Sequence, residues 1–356
     1  MPQVHLRPFS SDGNGSAINV FNIARREVFE RAPIKNQCSR AYFYGHDKTI
    51  ENLFGQIEGR YAQYLRLIFD HKLTNAAVDW MRMFLVLQSS RTQSSVDQYR
   101  ALLTEGAKVK LRGNLLGDRV QIDMSHEALV AGSLSNFLSL APYVYDLEFC
   151  VLQNSTKFPF VTSDHPVVNT NRYHLQVLGE NFFGLATAGA LLFMPISPRQ
   201  AICMYDNGVY KVDGKATFVT LKKQADILAL NEMQYLNALQ NIYFGDSRDG
   251  KRIRDEFLAV QNLRSDERVK ITELADAGII GGKHRFRRFK NSAEAEKTNK
   301  KLISFQSIHI YPRKWPSAIE IRMRPKAYSN GSSAGLLRNP EWLLGKKPEL
   351  KLKLER

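Results

Sequence analysis

Residues Phe158 to Asn171 read FPFVTSDHPVVNTN. Phe158, Phe160 and Val161 precede the polar centre, and Val167 and Val168 follow it. Aromatic and β-branched residues on both sides are the composition of strands on a pleated, half-buried surface. Thr162, Ser163, Asp164, His165 and Pro166 interrupt the apolar run. Pro166 fixes its own φ and drives His165 toward extended geometry, so Asp164 sits just before a stiff turn, where a short carboxylate accepts backbone N–H groups. A carboxylate fixed in direction suits a general base, a cation ligand or an anchor for an arginine. It equally suits an Asx turn that ends a strand. Ser163, Asp164 and His165 are not a catalytic triad, because consecutive residues of an extended chain point to alternate sides.

Strand texture continues on both sides of this stretch. YDLEFCVLQ lies before it; LLFMPISP, QAICMYD and KATFVTL lie after it, with Asp206-Asn207-Gly208 as a turn signal. Upstream, INVFNIARREVFE predicts two short strands. Thr49 opens a helix to about Asp70, with Leu53, Phe54, Ile57, Tyr61, Tyr64, Leu65 and Ile68 on one arc and Glu51 and Glu58 at its edge. A second helix, Asn75 to about Arg91, is apolar on nearly every side. A third, HEALVAGSLSNFLSLA, is capped by Asp123 or Ser125 and closed by Pro142. A last helix, from about Ala225 to Phe244, packs back on the strands. The pattern predicts an α+β fold: an N-terminal helical layer on a mostly antiparallel sheet, plus a small basic C-terminal region with short strands. The boundary falls between 1–244 and a partly flexible extension, 245–356.

The charge distribution supports that boundary. The net charge is +15, and residues 251–356 hold 25 Lys and Arg against 12 Asp and Glu, a local net of +13. Such asymmetry points to a polyanionic partner, nucleic acid first and anionic lipid second. Within it, Lys283 to Lys290, KHRFRRFK, interleaves Phe286 and Phe289 with five cations. Lys283, Arg285, Arg287, Arg288 and Lys290 are candidate phosphate contacts, and Phe286 is a candidate stacking platform. A solvated linker has the same composition. No apolar run reaches the length of a membrane helix, and MPQVHLRPFS lacks an apolar signal core, which predicts a cytoplasmic protein. Cys38, Cys150 and Cys203 stand far apart, with no zinc-type spacing and no disulfide framework.

Several short motifs, in order, give the chain a family likeness. Pro2-Gln3 with Leu6-Arg7 and Phe9 resembles the opening HYVPxxYLRxF of the domain of unknown function 4238 family. Ile34-Lys35-Asn36, Tyr42-Phe43-Tyr44, Glu51 and Glu58 resemble its KN…FY…E…E segment. Gln88-Ser89-Ser90-Arg91-Thr92 is similar to its QxxRT, Thr162 to Pro166 to its TSDxP, and Met194 to Pro198 to its PLSP strand end. The likeness covers roughly Pro2 to Phe244. The family's leading His has no counterpart at Met1-Pro2. The resemblance implies a shared domain without an assigned reaction, and it implies that Gln88, Arg91, Glu58, Ser163 and Asp164 form one cluster.

Two functional expectations follow. The first is an intracellular protein that binds nucleic acid through its basic C-terminal region, with a protein partner as a further option. The alternative is a metal-dependent phosphodiesterase, with Asp164 and Glu58 as carboxylates for a divalent cation or a water, Arg91 as phosphate clamp, Gln88 as orienter and Ser163 beside them. The chain has no HxH metal pair, PDxnExK run or P-loop, so the alternative rests on those residues alone.

Overall fold

The computed structural model describes residues 1–38, 43–45, 48–110, 123–212, 217–280, 283–297, 301–331 and 335–349. The chain opens with a single turn, α1 (Gln3–Leu6), and a hairpin of β1 (Ala17–Asn22) and β2 (Glu27–Pro33). Four helices follow: α2 (Lys48–Phe69), α3 (Asn75–Ser90), α4 (Gln93–Lys110) and α5 (His126–Leu140). Then come β3 (Glu148–Asn154), β4 (Thr162–Ser163), β5 (Val168–Thr170) and α6 (Arg172–Leu178). Next are β6 (Leu191–Ser197), β7 (Gln200–Tyr205), β8 (Tyr210–Val212), β9 (Phe218–Leu221), α7 (Gln224–Asn237), β10 (Asn241–Phe244) and α8 (Gly250–Val260). The C-terminal part holds β11 (Val269–Ile280), β12 (Lys283–Arg288), α9 (Ser292–Lys297), β13 (Lys301–Ser307), β14 (Ile319–Ile321) and α10 (Pro340–Leu343).

The central sheet has the order β5-β6-β7-β3-β9, antiparallel except for the parallel β3–β9 pair. Its strands are apolar at consecutive positions because both faces are covered. Alternation assigns the faces. Val151, Leu192, Met194, Ile202 and Met204 meet Tyr61, Leu65, Met81, Phe84 and Leu85 of α2 and α3. Cys150, Leu152, Leu191, Phe193 and Cys203 point the other way, onto Ile227, Leu230 and Met233 of α7. A second sheet, β2-β1-β10-β4, stands beside it and is braced by α8 through Phe21, Phe244, Ile253 and Phe257. This is an α+β architecture with mostly antiparallel sheets.

Local chemistry sets the helix starts. Thr74 Oγ1 accepts the Ala77 amide at 3.2 Å before α3, and Ser125 Oγ accepts that of Ala128 at 3.2 Å before α5, so Ser125 is the residue whose side chain caps there. Several expectations need correction. Leu53, placed on the buried arc, is 54% exposed. Helix α4 was not anticipated; it packs on α5 through Val96, Tyr99 and Leu103. The helix expected to run to Phe244 stops at Asn237, and Asn241–Phe244 forms a strand between β1 and β4. In the basic region KHRFRR is a strand, at the edge of the sheet β12-β11-β13, whose central strand also went unread. Gly281 and Gly282, which the sequence marks as a break, and the Lys-Leu tail from residue 350 to 356 lie outside the described residues.

Beyond residue 308 the chain returns over the first 244 residues. β14 pairs with β8. Asp226 Oδ1 accepts the Ser317 amide at 2.7 Å, and Glu232 Oε1 accepts those of Arg313 at 2.7 Å and Lys314 at 3.3 Å. Arg338 is buried. It forms a double ion pair with Asp146 at 2.8 and 2.9 Å and donates to the carbonyls of Tyr143, Leu185 and Thr187.

Candidate functional site

The stretch Phe158 to Asn171 is held from one side by a ladder of amides on α7. Asn231 accepts the Val161 amide at 3.1 Å and donates to the Pro159 carbonyl at 3.0 Å. Gln234 accepts the Ser163 hydroxyl at 2.9 Å and donates to the Pro166 carbonyl at 2.7 Å. Asn237 donates to the carbonyls of His165 and Val167 at 2.6 and 3.0 Å. Residues three apart share a helix face, so these side chains replace the ladder that a short, proline-broken strand cannot supply. Sequence reading treated α7 as apolar core and missed them. The signal was present as three amide side chains at spacing three in an otherwise apolar helix.

Asp164 is engaged by backbone. Oδ1 accepts from Leu239 at 2.8 Å, and Oδ2 accepts from Gln240 at 2.7 Å and Asn241 at 3.2 Å. Burial pushes its pKa up from the usual carboxylate value, against the downward pull of the three amides and of Arg264. The sequence expectation that Asp164 accepts backbone N–H groups matches this geometry, but the donors lie about 75 positions away rather than in a local turn.

Glu58, Gln88 and Arg91 do meet. Arg91 donates from Nε to Gln88 Oε1 at 2.8 Å and from Nη2 to Glu58 Oε1 at 2.9 Å, and its guanidinium lies 4.8 Å from the centre of the Phe54 ring. Its side chain is buried while Glu58 is partly open to solvent. Arg91 Nη1 and Gln88 Nε2 are buried with no hydrogen-bond partner among the described residues. Asp164 and Ser163 make no hydrogen bond to this trio. The expected cluster is therefore two assemblies, Glu58-Gln88-Arg91 and the Ser163-Asp164 turn. Thr92 bridges them, its Oγ1 lying 2.7 Å from His165 Nδ1.

A third meeting of distant residues had not been anticipated. His5 is buried between Tyr61, 2.8 Å from Nδ1, and Thr162, 3.1 Å from Nε2. Burial pulls its pKa down to about 3, so the ring is neutral. The opening segment thus reaches the central stretch, as does Pro198, whose carbonyl accepts the Phe160 amide at 3.0 Å. Among the described residues no three His, Cys, Asp or Glu side chains are placed to share a metal ion.

Between α4, this stretch and the C-terminal part lies a polar cleft of about 280 Å³. Ser94, His165, Asn169, Arg264, Arg268 and His309 line it. Burial pulls the pKa values of His165 and His309 down to about 4, with Arg268 a further cause for His165.

The candidate nucleic-acid residues lie apart from these groups, on β12 and just beyond it. Arg287 is paired with Glu294, and Arg288 forms a double ion pair with Glu180 at 2.7 and 3.0 Å. Phe286 is half-buried and Lys290 exposed. The side chains of Lys283 and Arg285 lie outside the described residues.

A family model described as a protein of unknown function, DUF4238, matches residues 1–248. No curated protein and no solved structure matches the chain. No described helix is long and apolar enough to cross a membrane.

Proposed function

This chain belongs to the DUF4238 family, and from that premise we propose that it binds nucleic acid through the basic region that follows the family segment. The observation that carries the reading is the local net charge of +13 over residues 251–356. Cations gathered on one part of a chain neutralise phosphates and release counterions, a source of affinity that needs no base recognition. The edge position of β12 supports the reading, since one side of that strand is free of a neighbouring strand within its sheet. Arg287 and Arg288 are already paired with carboxylates, so Lys283, Arg285 and Lys290 are the cations to test first.

The experiment compares the full chain with the triple variant Lys283→Gln, Arg285→Gln, Lys290→Gln for binding to short DNA and RNA across a salt series. The slope of log K against log salt should become shallower by about 2–3, roughly 0.7–0.9 for each phosphate that is no longer neutralised. Absence of binding at about 50 mM salt, or an unchanged slope, overturns the proposal. Charge substitution is preferred to truncation after residue 245, which would strip Asp226, Glu232 and Asp146 of their partners.

A second reading, a phosphodiesterase, is favoured by Arg91 Nη1 and Gln88 Nε2 beside Glu58, donors without a partner among the described residues. Asp164 has both oxygens engaged by amides, so in that reading Glu58 and Arg91 carry the chemistry. Hydrolysis of an activated phosphodiester with magnesium present, abolished in Glu58→Gln, would establish it; no turnover above the uncatalysed rate rejects it.

A further inference from the structure

The polar cleft holds two guanidinium groups, those of Arg264 and Arg268. Arg264 donates to the carbonyls of Tyr235 at 2.7 Å and Leu239 at 3.4 Å, and Arg268 donates from Nη1 to Ser94 Oγ at 3.3 Å. Neither forms a salt bridge among the described residues. Each is half-buried. They are near enough for the charge of Arg268 to act on Arg264. Two like charges facing one partly desolvated space are unfavourable unless an anion lies between them. Other arginines of this protein illustrate the rule: Arg91, Arg252 and Arg338 each have a carboxylate.

The rest of the lining fits a ligand that is more than an anion. His309 donates from Nε2 to the Phe183 carbonyl at 3.0 Å, which leaves Nδ1 as an acceptor on a neutral ring. A hydroxyl or amine of a ligand would supply a donor for that nitrogen. Phe183 and Leu185 supply apolar wall. The start of α4, with Ser94 in its first turn, borders the same space, and its dipole acts in the same direction as the arginines. Three carboxylates oppose this field. Glu267 at the rim and Asp266 beside it are exposed, where solvent screens them, and Asp164 acts on Arg264 while its own oxygens are held by backbone.

We propose that this cleft binds a phosphate monoester carried on a small polar body, of mononucleotide size, with Arg268 and Arg264 on the phosphate and His309 Nδ1 accepting from the body. The volume, about 280 Å³, sits at the small end of ligand sites. The inference does not draw on the basic strand, because its described cations Arg287, Arg288 and Lys290 do not line the cleft.

The test is calorimetry on the full chain with adenosine 5′-monophosphate, adenosine and inorganic phosphate. The monophosphate should bind, and adenosine should bind at least about tenfold more weakly, because it offers the arginines no anion for charge-assisted hydrogen bonds. Arg268→Gln should weaken the monophosphate at least about tenfold with little change in melting temperature. Glu267→Gln, an exposed change that leaves folding alone, should tighten it about two- to fivefold by removing a repulsive charge. Competition by a 5′-phosphorylated oligonucleotide but not by its 5′-hydroxyl counterpart would assign the phosphate to a nucleic-acid end; no competition would assign it to a free mononucleotide. Absence of binding at about 10 mM monophosphate, equal binding of adenosine, or unchanged binding in Arg268→Gln overturns the site. The triple variant of the sheet should bind the monophosphate as the parent does, which separates failure here from failure of the nucleic-acid reading.

Discussion

Replacing Asp164 by alanine removes the acceptor for three amides at once. Leu239 and Asn241 are half-buried and Gln240 is exposed, so water rescues the last and leaves the other two poorly satisfied. A hydrogen bond to a charged acceptor is worth roughly 1.5–3 kcal/mol, and the cost of two with a small contribution from the third is about 3–4 kcal/mol. An unfolding entropy of about 2.1 cal/mol/K per residue over 356 residues gives about 0.7 kcal/mol for each degree, so the melting temperature should drop by about 4–5 °C. Asp164→Asn keeps one acceptor and should cost about half as much. Melting followed by circular dichroism, with all variants at one pH, is the assay. A midpoint for Asp164→Ala within about 1 °C of the parent would refute the anchoring role and return the carboxylate to the pool of catalytic candidates.

Three further outcomes are expected. His5, His165 and His309 are neutral when folded, with pKa values of about 3, 4 and 4, whereas the unfolded chain protonates near 6.5. Below pH 6.5 the unfolded state therefore binds more protons, and stability should fall toward pH 4 by up to about 1.4 kcal/mol per pH unit for each ring. His5→Gln should remove about a third of that slope in urea titrations at pH 7 and pH 5, and an unaltered slope would contradict the assignment. Arg338→Ala leaves three carbonyls without their donor while the exposed Asp146 returns to water, and should cost about 2–4 kcal/mol in a denaturant series; a cost under about 1 kcal/mol would mean the strap contributes little. Gly189 has φ +83°, and a Cβ there would stand 2.5 Å from Asn171 Oδ1, so Gly189→Ala should destabilise by about 2–4 kcal/mol, read from the same melts.

What the sequence made legible was mostly local. The apolar arc of α2 apart from Leu53, the all-round apolar α3 and the consecutive hydrophobic strands follow from period and burial. What stayed hidden depends on distant partners. Asn241–Phe244 reads as the end of a helix until Asp164, far upstream, takes the amides of residues 239–241 and turns the chain out of α7. The central strand β11 mixes Lys, Glu and Asp with its apolar residues, so no clean alternation announced it. At the site, the Gln88-Glu58-Arg91 trio was foreseen from the family motifs that carry these residues, the QxxRT run and the E…E segment. The arginines of the cleft were not, since Arg264 and Arg268 meet the rest of its lining only through tertiary packing.

The returning C-terminal strap carries a consequence for how the protein is made. Chains leave the ribosome N-terminus first, and domains usually fold as they emerge. Here the segment matched by the family model ends at residue 248, yet Asp226, Glu232 and Asp146 wait for donors at residues 313–338. The nascent protein must hold these acidic groups in water through the synthesis of some ninety further residues. A stop codon in that interval would release a polypeptide with its core composition intact and the buried carboxylates of Asp226 and Glu232 without their amide donors, a product marked for quality control rather than for function.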